Sequence, residues 1–233
     1  MKQAIWDKFC DRFNVMELAV PLFETDPDGH VQSKPIGKDG RYVLKRSEEC
    51  DRLILNVTDQ LVNDWQGKQH HFDGMLYLMG WKQQGKFTPL YIGKTESLGK
   101  GDRNLSANIK NLHTDKTKFA RWGDGYSYHI GDLSACVLPG HYGGKKTLKY
   151  QAWAECLFDV GAHLRHPVYF WAVPWKSDEI GVWDEYGPNS LAFLEYLLIG
   201  VAGGVTNYLL NREGIARARG TQGHPTLMAS MRL

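Results

Sequence analysis

Two short apolar runs stand close together in the middle of the chain. Residues 75–79 and 89–95 are rich in strand-forming side chains, and residues 82–86 between them are polar and include a glycine. Runs of this length, separated by such a turn, are typical of a β-hairpin. The first run carries Tyr77 and the second carries Tyr91. If both tyrosines face the same side of the sheet, their hydroxyl groups lie close together.

Helical patterns flank this hairpin on both sides. They predict helices over residues 4–13, 47–65, 104–112 and 148–160, and a further helix that starts after residues 188–190 and stops at 203–204. Ser47 is suited to cap the second of these helices. A strand is predicted over residues 167–173. This order of elements indicates an α+β fold.

The chain divides into three predicted segments. Residues 1–71 form a helical and irregular N-terminal elaboration with no recognisable catalytic motif, and within it residues 26–40 are rich in turn formers. Residues 72–211 form the core, and residues 212–233 form a basic tail. The tail is either an arm that contacts DNA or a disordered segment, and its sequence favours neither.

Composition restricts the class of protein. The 233 residues, 42% hydrophobic and 23% charged, are typical of a globular chain. The longest apolar stretch, residues 191–202, contains Glu195 and is shorter than the roughly 20 residues of a membrane span. We therefore predict a buried helix and no membrane partner. Charges at Asp7 and Lys8 argue against a secretory signal, so we expect a cytoplasmic protein.

The distribution of charge and the spacing of the cysteines indicate which partners and metal sites to expect. Residues 82–121 hold nine Lys and Arg against three acidic residues, an excess of six positive charges. Such an excess beside two tyrosines attracts a phosphate backbone, although a solvated surface gives the same pattern. The four cysteines lack Cys-x-x-Cys spacing, which argues against a zinc site.

The tyrosine hairpin resembles the paired motif of the GIY-YIG nuclease superfamily. Leu76 and Tyr77 match the end of the first motif, with Met75 in the place of its glycine, and Tyr91-Ile92-Gly93 matches the second motif letter for letter. The resemblance covers about residues 72–211. It implies a small three-stranded antiparallel sheet flanked by helices. It also implies a divalent-metal-dependent endonuclease that hydrolyses DNA in restriction, phage defence or mobile-element biology.

The resemblance also implies roles for individual residues. Tyr77 would orient or deprotonate the attacking water, and Tyr91 would support that network. Lys94, directly after the second motif, would contact phosphate or activate water. The family commonly places an arginine about ten residues beyond the second tyrosine, a spacing that this chain does not keep. Arg103 and Arg121 are the alternatives for that arginine, and Arg121 is preferred.

The remaining candidates lie further along the chain. Glu195 interrupts an apolar helix directly after the third strand, where the family places its metal-binding glutamate, and an unpaired buried carboxylate is costly. We predict Glu195 as a ligand of Mg²⁺ or Mn²⁺, with Glu155 as the second choice. His129 is either a general base or a structural histidine. Asn207 or Asn211 supplies a further polar contact or is a solvent-exposed amide.

Two other classes of function stay open. The departures at Met75 and at the arginine spacing are compatible with a nucleic-acid-binding module that kept the fold but lost turnover. The aromatic residues within 168–183 are compatible with a protein-interaction surface. For the nuclease, one active site cuts one strand at a time, so a homodimer would suit double-strand cleavage.

Overall fold

The fold is α+β, as the order of elements predicted. The computed structural model describes residues 1–99, 104–112, 114–125, 128–139, 141, 146–176 and 178–211, with only the backbone of Glu185. Its helices are α1 Lys2–Arg12, α2 Val15–Leu18, α3 Glu48–Gln66, α4 Ala107–Lys110, α5 His129–Val137, α6 Leu148–Leu157 and α7 Leu191–Ala202. Its strands are β1 Val20–Pro21, β2 Ser33–Ile36, β3 Arg41–Leu44, β4 Phe72–Gln83, β5 Lys86–Glu96 and β6 Val168–Lys176.

The main sheet has four antiparallel strands in the order β1-β6-β4-β5. β4 lies inside the sheet, so Tyr77 faces Gly93 of β5 on one side and Ala172 of β6 on the other. The expected three-stranded sheet was wrong in its strand count. The N-terminal segment adds β1, in which Val20 and Pro21 pair with β6.

The tyrosine hairpin is confirmed, and it is longer than predicted. β4 and β5 pair up to Gln83 and Lys86, which leaves a two-residue turn. Gln84 has φ 49° and Gly85 has φ 72°. Two successive residues with positive φ form the tight turn that matches the natural twist of a hairpin.

Side chains alternate between the two faces of β4 and so divide the core into two layers. On one face Met75, Tyr77 and Met79 join a cluster that includes buried residues of α3, α5 and α6. On the other face Leu76 and Leu78 join a cluster with α1 and α7. β5 lies at the end of the sheet, and α7 runs along it.

Several predicted helices are confirmed, with shifts at their ends. Ser47 caps α3 by accepting a hydrogen bond from the backbone N–H of Cys50. Ser190 caps α7 in the same way through Phe193. The helix predicted over residues 104–112 is shorter, because only Ala107–Lys110 is helical.

Other expectations fail where tertiary contacts decide the structure. Residues 26–40 were read as loop, yet Ser33–Ile36 pairs with Arg41–Leu44 in a separate two-stranded sheet. The helix α5 was not predicted. Nor is α7 buried all round, because Phe193 is 45% exposed and Tyr196 is 65% exposed.

The aromatic segment proposed as an interaction surface is mostly core. Phe170, Trp171 and Trp175 of β6 are buried, because both faces of the sheet are covered: Phe170 belongs to the first core cluster, and Trp171 and Trp175 belong to the second. Within the part of the chain that the structure describes, no helix is both long and apolar enough to cross a membrane.

Candidate active site

The ring of Tyr77 occupies the space left by Gly93, the glycine opposite it on β5. Its side chain is only 2% exposed, on the inner strand β4. A Cβ atom built at Gly93 would lie 2.5 Å from Cζ and 2.6 Å from the hydroxyl oxygen of Tyr77. The ring therefore lies directly over Gly93 and extends across β5. This close approach gives a physical reason for the glycine in the Tyr91-Ile92-Gly93 motif.

Tyr91 lies on the same face of the sheet, as predicted. The ring centroids of Tyr77 and Tyr91 are 6.3 Å apart, with an interplanar angle of 28°. Tyr91 is only partly buried, whereas Tyr77 is covered. The hairpin therefore presents one covered and one accessible phenol at the same place.

A cavity of ≈ 210 Å³ opens beside the two phenols. It brings together six of the seven residues that the sequence singled out as catalytic candidates. Its lining consists of Tyr77, Tyr91, Lys94, Arg121, Tyr128, His129, Lys149, Tyr150 and Glu195. Arg103, the seventh candidate, lies outside the described residues.

Glu195 reaches this cavity from the opposite layer of the molecule. It belongs to α7, which packs on β5 and contributes its apolar side chains to the second core cluster. Its carboxylate is partly buried and lies close enough to Tyr77 to help raise the pKa of that phenol. Glu155, the second choice, is exposed on α6 and is not among the described residues that line the cavity.

His129 is the first residue of α5 and is 5% exposed. Its Nδ1 lies 2.7 Å from the hydroxyl oxygen of Tyr150. The imidazole stacks on Trp153 at 5.1 Å between centroids and lies 5.0 Å from the ring of Trp122. Among the described residues, Nε2 has no hydrogen-bond partner.

Burial favours the neutral forms of His129, Tyr77 and Tyr150. Loss of solvent lowers the pKa of His129 well below 6.5, and the positive charges of Lys149 and Arg121 lower it further. Loss of solvent also raises the pKa of Tyr77 and of Tyr150, with smaller contributions from neighbouring groups. The imidazole of His129 and the phenols of Tyr77 and Tyr150 are therefore uncharged near pH 7.

Three cationic side chains surround these neutral groups. Lys94 forms an ion pair with Glu96, two residues further along β5. The ammonium of Lys149 lies 5.2 Å from the ring centroids of both Tyr91 and Tyr150. Arg121 is exposed, and its charge opposes the rise in the pKa of Tyr77. These three positive charges exceed the two negative charges of Glu96 and Glu195 by one, which makes the cavity attractive to an anion.

Sequence reasoning missed Lys149, Tyr150 and Tyr128. The helix that carries the first two was predicted, but only Glu155 was considered on it. Tyr150 and Trp153 are three residues apart and so lie on one face of α6, where both are buried. This spacing identifies the buried face of α6, but the sequence does not show that the face meets the tyrosine hairpin.

The two asparagines after α7 differ in their surroundings. Asn207 is exposed. Asn211 is buried, and its side-chain amide forms two hydrogen bonds with Ile92 of β5, accepting from the backbone N–H at 3.0 Å and donating to the carbonyl at 2.8 Å. Asn211 thus takes the place of a neighbouring strand at the outer edge of β5.

Among the described lining residues, Glu195 is the only carboxylate that the cavity offers to a divalent cation. No group of three His, Cys, Asp or Glu suited to a metal occurs in the described ranges, so a cage of protein ligands is not formed there. Glu195 and the phenol oxygens are oxygen donors, which Mg²⁺ and Mn²⁺ prefer. This donor set fits an ion that keeps most of its water and is held by one carboxylate together with substrate oxygens.

Comparison with models of known protein families, with curated proteins and with solved structures finds no match to this chain.

Proposed function

We propose that this chain is a divalent-metal-dependent endonuclease that hydrolyses DNA phosphodiester bonds and resembles the GIY-YIG nucleases. The main support is the convergence of Tyr77, Tyr91, Arg121, His129 and Glu195 on one cavity. These residues come from β4, β5, the loop before α5, α5 itself and α7. Residues so far apart in the chain meet there with the side chains that phosphodiester hydrolysis requires.

The substrate phosphate is bound by positive charge. Arg121 is exposed enough to reach a phosphate and offers paired N–H donors, whereas Lys94 and Lys149 act as point charges. Together they bind the phosphate and stabilise the negative charge that grows on its oxygens in the transition state.

Tyr77 acts as a neutral phenol in this mechanism. Its raised pKa makes the phenolate unfavourable near pH 7, so its role is to orient the attacking water by hydrogen bonds. Of the two roles carried over from the family, orientation therefore suits this site better than deprotonation. Tyr91, the more accessible phenol, completes the positioning of the water or phosphate.

His129 and Tyr150 form a second neutral pair. Because the imidazole is uncharged near pH 7, it can hold the Tyr150 hydroxyl through Nδ1 without adding another positive charge. Its Nε2, without a described partner, is the remaining acceptor or donor of this pair. The low pKa makes His129 a weak base, so we assign it a positioning role.

Glu195 would hold the metal ion. When bound there, Mg²⁺ or Mn²⁺ supplies Lewis acidity to the phosphate and to the leaving oxygen. Because one carboxylate is the only acidic side chain among the described lining residues, we expect metal binding to depend on the nucleic acid.

Nicking of DNA by the purified protein tests this proposal. Supercoiled plasmid, linear duplex and circular single-stranded DNA are incubated with Mg²⁺, Mn²⁺ or EDTA, using wild type, Glu195→Gln and Glu155→Gln. Glu155 is an exposed glutamate outside the described lining of the cavity and serves as the matched control. We expect metal-dependent cleavage that falls at least a hundredfold in Glu195→Gln and is unchanged in Glu155→Gln.

Two results would count against the proposal. Cleavage that survives equally in both variants would remove Glu195 from the mechanism. A folded wild type that binds DNA in a salt-sensitive manner and cuts none of the three substrates would favour the alternative of a binding module without turnover.

A further inference from the structure

Two further cavities share lining residues with the candidate active site. A second cavity of ≈ 400 Å³ shares Tyr91, Lys149 and Glu195 with the first one. A third cavity of ≈ 410 Å³ continues on the other side and shares Lys94 and Arg121. Both of these volumes fall in the range of cavities that bind small molecules. The shared residues join the three cavities beside β5.

One wall of the second cavity is a single stripe of α7. Its members recur at the spacing of one helix face: Ala192, Glu195, Tyr196 and Ile199. Tyr196 is 65% exposed, next to the carboxylate that the proposed nuclease uses. Its aromatic face is therefore available to a planar partner.

The opposite wall combines a cation with a fixed backbone. Lys149 of α6 carries the positive charge, and Leu210 and Asn211 line the same cavity. The backbone N–H of Leu210 donates to the carbonyl of Leu90 at 2.7 Å, and the Asn211 amide pairs with Ile92. These bonds fix the wall to β5, so this part of the second cavity is formed before a ligand arrives.

We propose that the second cavity, which we call the α7 groove, binds an unpaired nucleotide next to the cleaved phosphate. The base stacks on Tyr196, and Lys149 lies between the base and the cleaved phosphate. This inference rests on the proposed nuclease function and specifies its substrate. An aromatic platform beside a line of cations is the general arrangement by which proteins hold single-stranded nucleic acid.

The geometry of stacking requires that the base bound on Tyr196 is unpaired. A base within a duplex has both faces covered by its neighbours, so it can stack on Tyr196 only after it leaves the helix. Unstacking costs free energy in a paired duplex and little in a single strand, a flap or a frayed end. The α7 groove thus predicts a preference for DNA with an unpaired nucleotide at the cut.

A measurement of DNA binding in EDTA, where metal-dependent cleavage cannot occur, tests this inference separately from nuclease activity. Fluorescence anisotropy in EDTA measures the affinity for a labelled single-stranded oligonucleotide and for the same sequence as a duplex. The variants are Tyr196→Ala and Tyr196→Phe. Tyr186→Ala is the matched control, because Tyr186 is 61% exposed and is not among the described residues that line the groove.

We expect Tyr196→Ala to bind the single strand about tenfold more weakly, since one base–aromatic stack is lost. Its affinity for the duplex should stay within twofold of wild type. Tyr196→Phe keeps the ring and should bind the single strand as wild type does. Tyr186→Ala should bind both forms normally.

The possible results distinguish a failure of the α7 groove from a failure of the nuclease function. Equal single-strand affinity in Tyr196→Ala and wild type, or equal losses for single strand and duplex, would overturn the α7 groove as a site for an unpaired base. If wild type cleaves DNA and that result is found, the nuclease function survives alone. If Tyr196 governs single-strand binding but no DNA is cut, the groove survives without the nuclease. A wild type that binds neither form in EDTA and cuts no DNA with Mg²⁺ or Mn²⁺ overturns both.

Discussion

The contact between Tyr77 and Gly93 determines where the covered phenol can act. Because the ring occupies the space of a missing side chain, even a methyl group at residue 93 would meet it at 2.5 Å. The Tyr77 ring packs against Trp122 and Phe170, so it can make room for the methyl group only by leaving its place in the core. The position of the Tyr77 hydroxyl therefore depends on residue 93.

Gly93→Ala is expected to slow DNA nicking at least tenfold by displacing the Tyr77 ring. It should also lower the free energy of unfolding by about 1 to 3 kcal/mol, the usual cost of overpacking. Nicking rates and urea denaturation provide the two measurements. Gly200→Ala is the control, because a Cβ atom at Gly200 has open space around it. Normal nicking by Gly93→Ala would refute this account of the motif.

His129 links stability to pH at the same site. Its pKa is lowered in the folded chain, so below pH about 6.5 the unfolded chain binds a proton that the folded chain does not. The stability contributed by the neutral imidazole is therefore complete above that pH and is lost as the pH falls. One such proton changes the unfolding free energy by at most about 1.4 kcal/mol per pH unit.

Urea denaturation between pH 8 and pH 5 measures this effect. Wild type should lose stability more steeply than His129→Gln as the pH falls. His70→Gln, at an exposed position, should follow wild type. Parallel curves for wild type and His129→Gln would show that His129 does not cause the loss.

Among the secondary-structure elements, local signals predicted most of what was found. The tyrosine hairpin, the Ser47 cap and the apolar helix that begins after Ser190 were all predictable, because their causes lie within a few residues. β1 has only two residues and exists through its pairing with β6. No local pattern could have predicted it.

In the candidate site, too, some residues were predictable from local sequence and others were not. Tyr77, Tyr91 and Glu195 were chosen from the sequence, and they line one cavity. Lys149 and Tyr150 were missed because their position depends on how α6 packs against the hairpin. Packing of this kind is set by contacts between distant segments, which the periodicity of one helix does not reveal.

The outer edge of β5 depends on Asn211. Replacing Asn211 with Leu removes both amide hydrogen bonds to Ile92, and leaving a buried polar group unsatisfied costs about 1 to 3 kcal/mol. We expect lower stability and faster hydrogen exchange at the Ile92 amide. Asn207→Leu, at an exposed position, is the matched control. Unchanged exchange at Ile92 would show that the edge holds without the amide.

At the scale of the whole molecule, three cationic side chains gather at the candidate active site. Lys94, Arg121 and Lys149 border the same cavity, although they come from different elements. Each contact between such a cation and a phosphate releases bound salt ions from DNA, which makes the affinity depend on salt concentration. The net charge of +2 for the whole chain conceals this local excess.

The salt dependence of DNA binding gives a quantitative prediction. In a plot of log affinity against log salt concentration, Lys149→Ala should reduce the slope by about 1 relative to wild type. Lys8→Ala removes a lysine that pairs with Asp184 and is not among the described residues lining the groove, so its slope should equal that of wild type. Equal slopes for wild type and Lys149→Ala would place that lysine away from the phosphate backbone.

Glu195 enters the cavity from α7, which begins at Leu191, 95 residues after β5 of the tyrosine hairpin ends at Glu96. During synthesis the N-terminal parts of a chain emerge first, so the phenols are available long before the carboxylate. On the proposed function, a growing or prematurely ended chain that lacks α7 cannot hold the metal that cleavage needs. The cell would thus be protected from an unfinished enzyme by the order in which its residues are made.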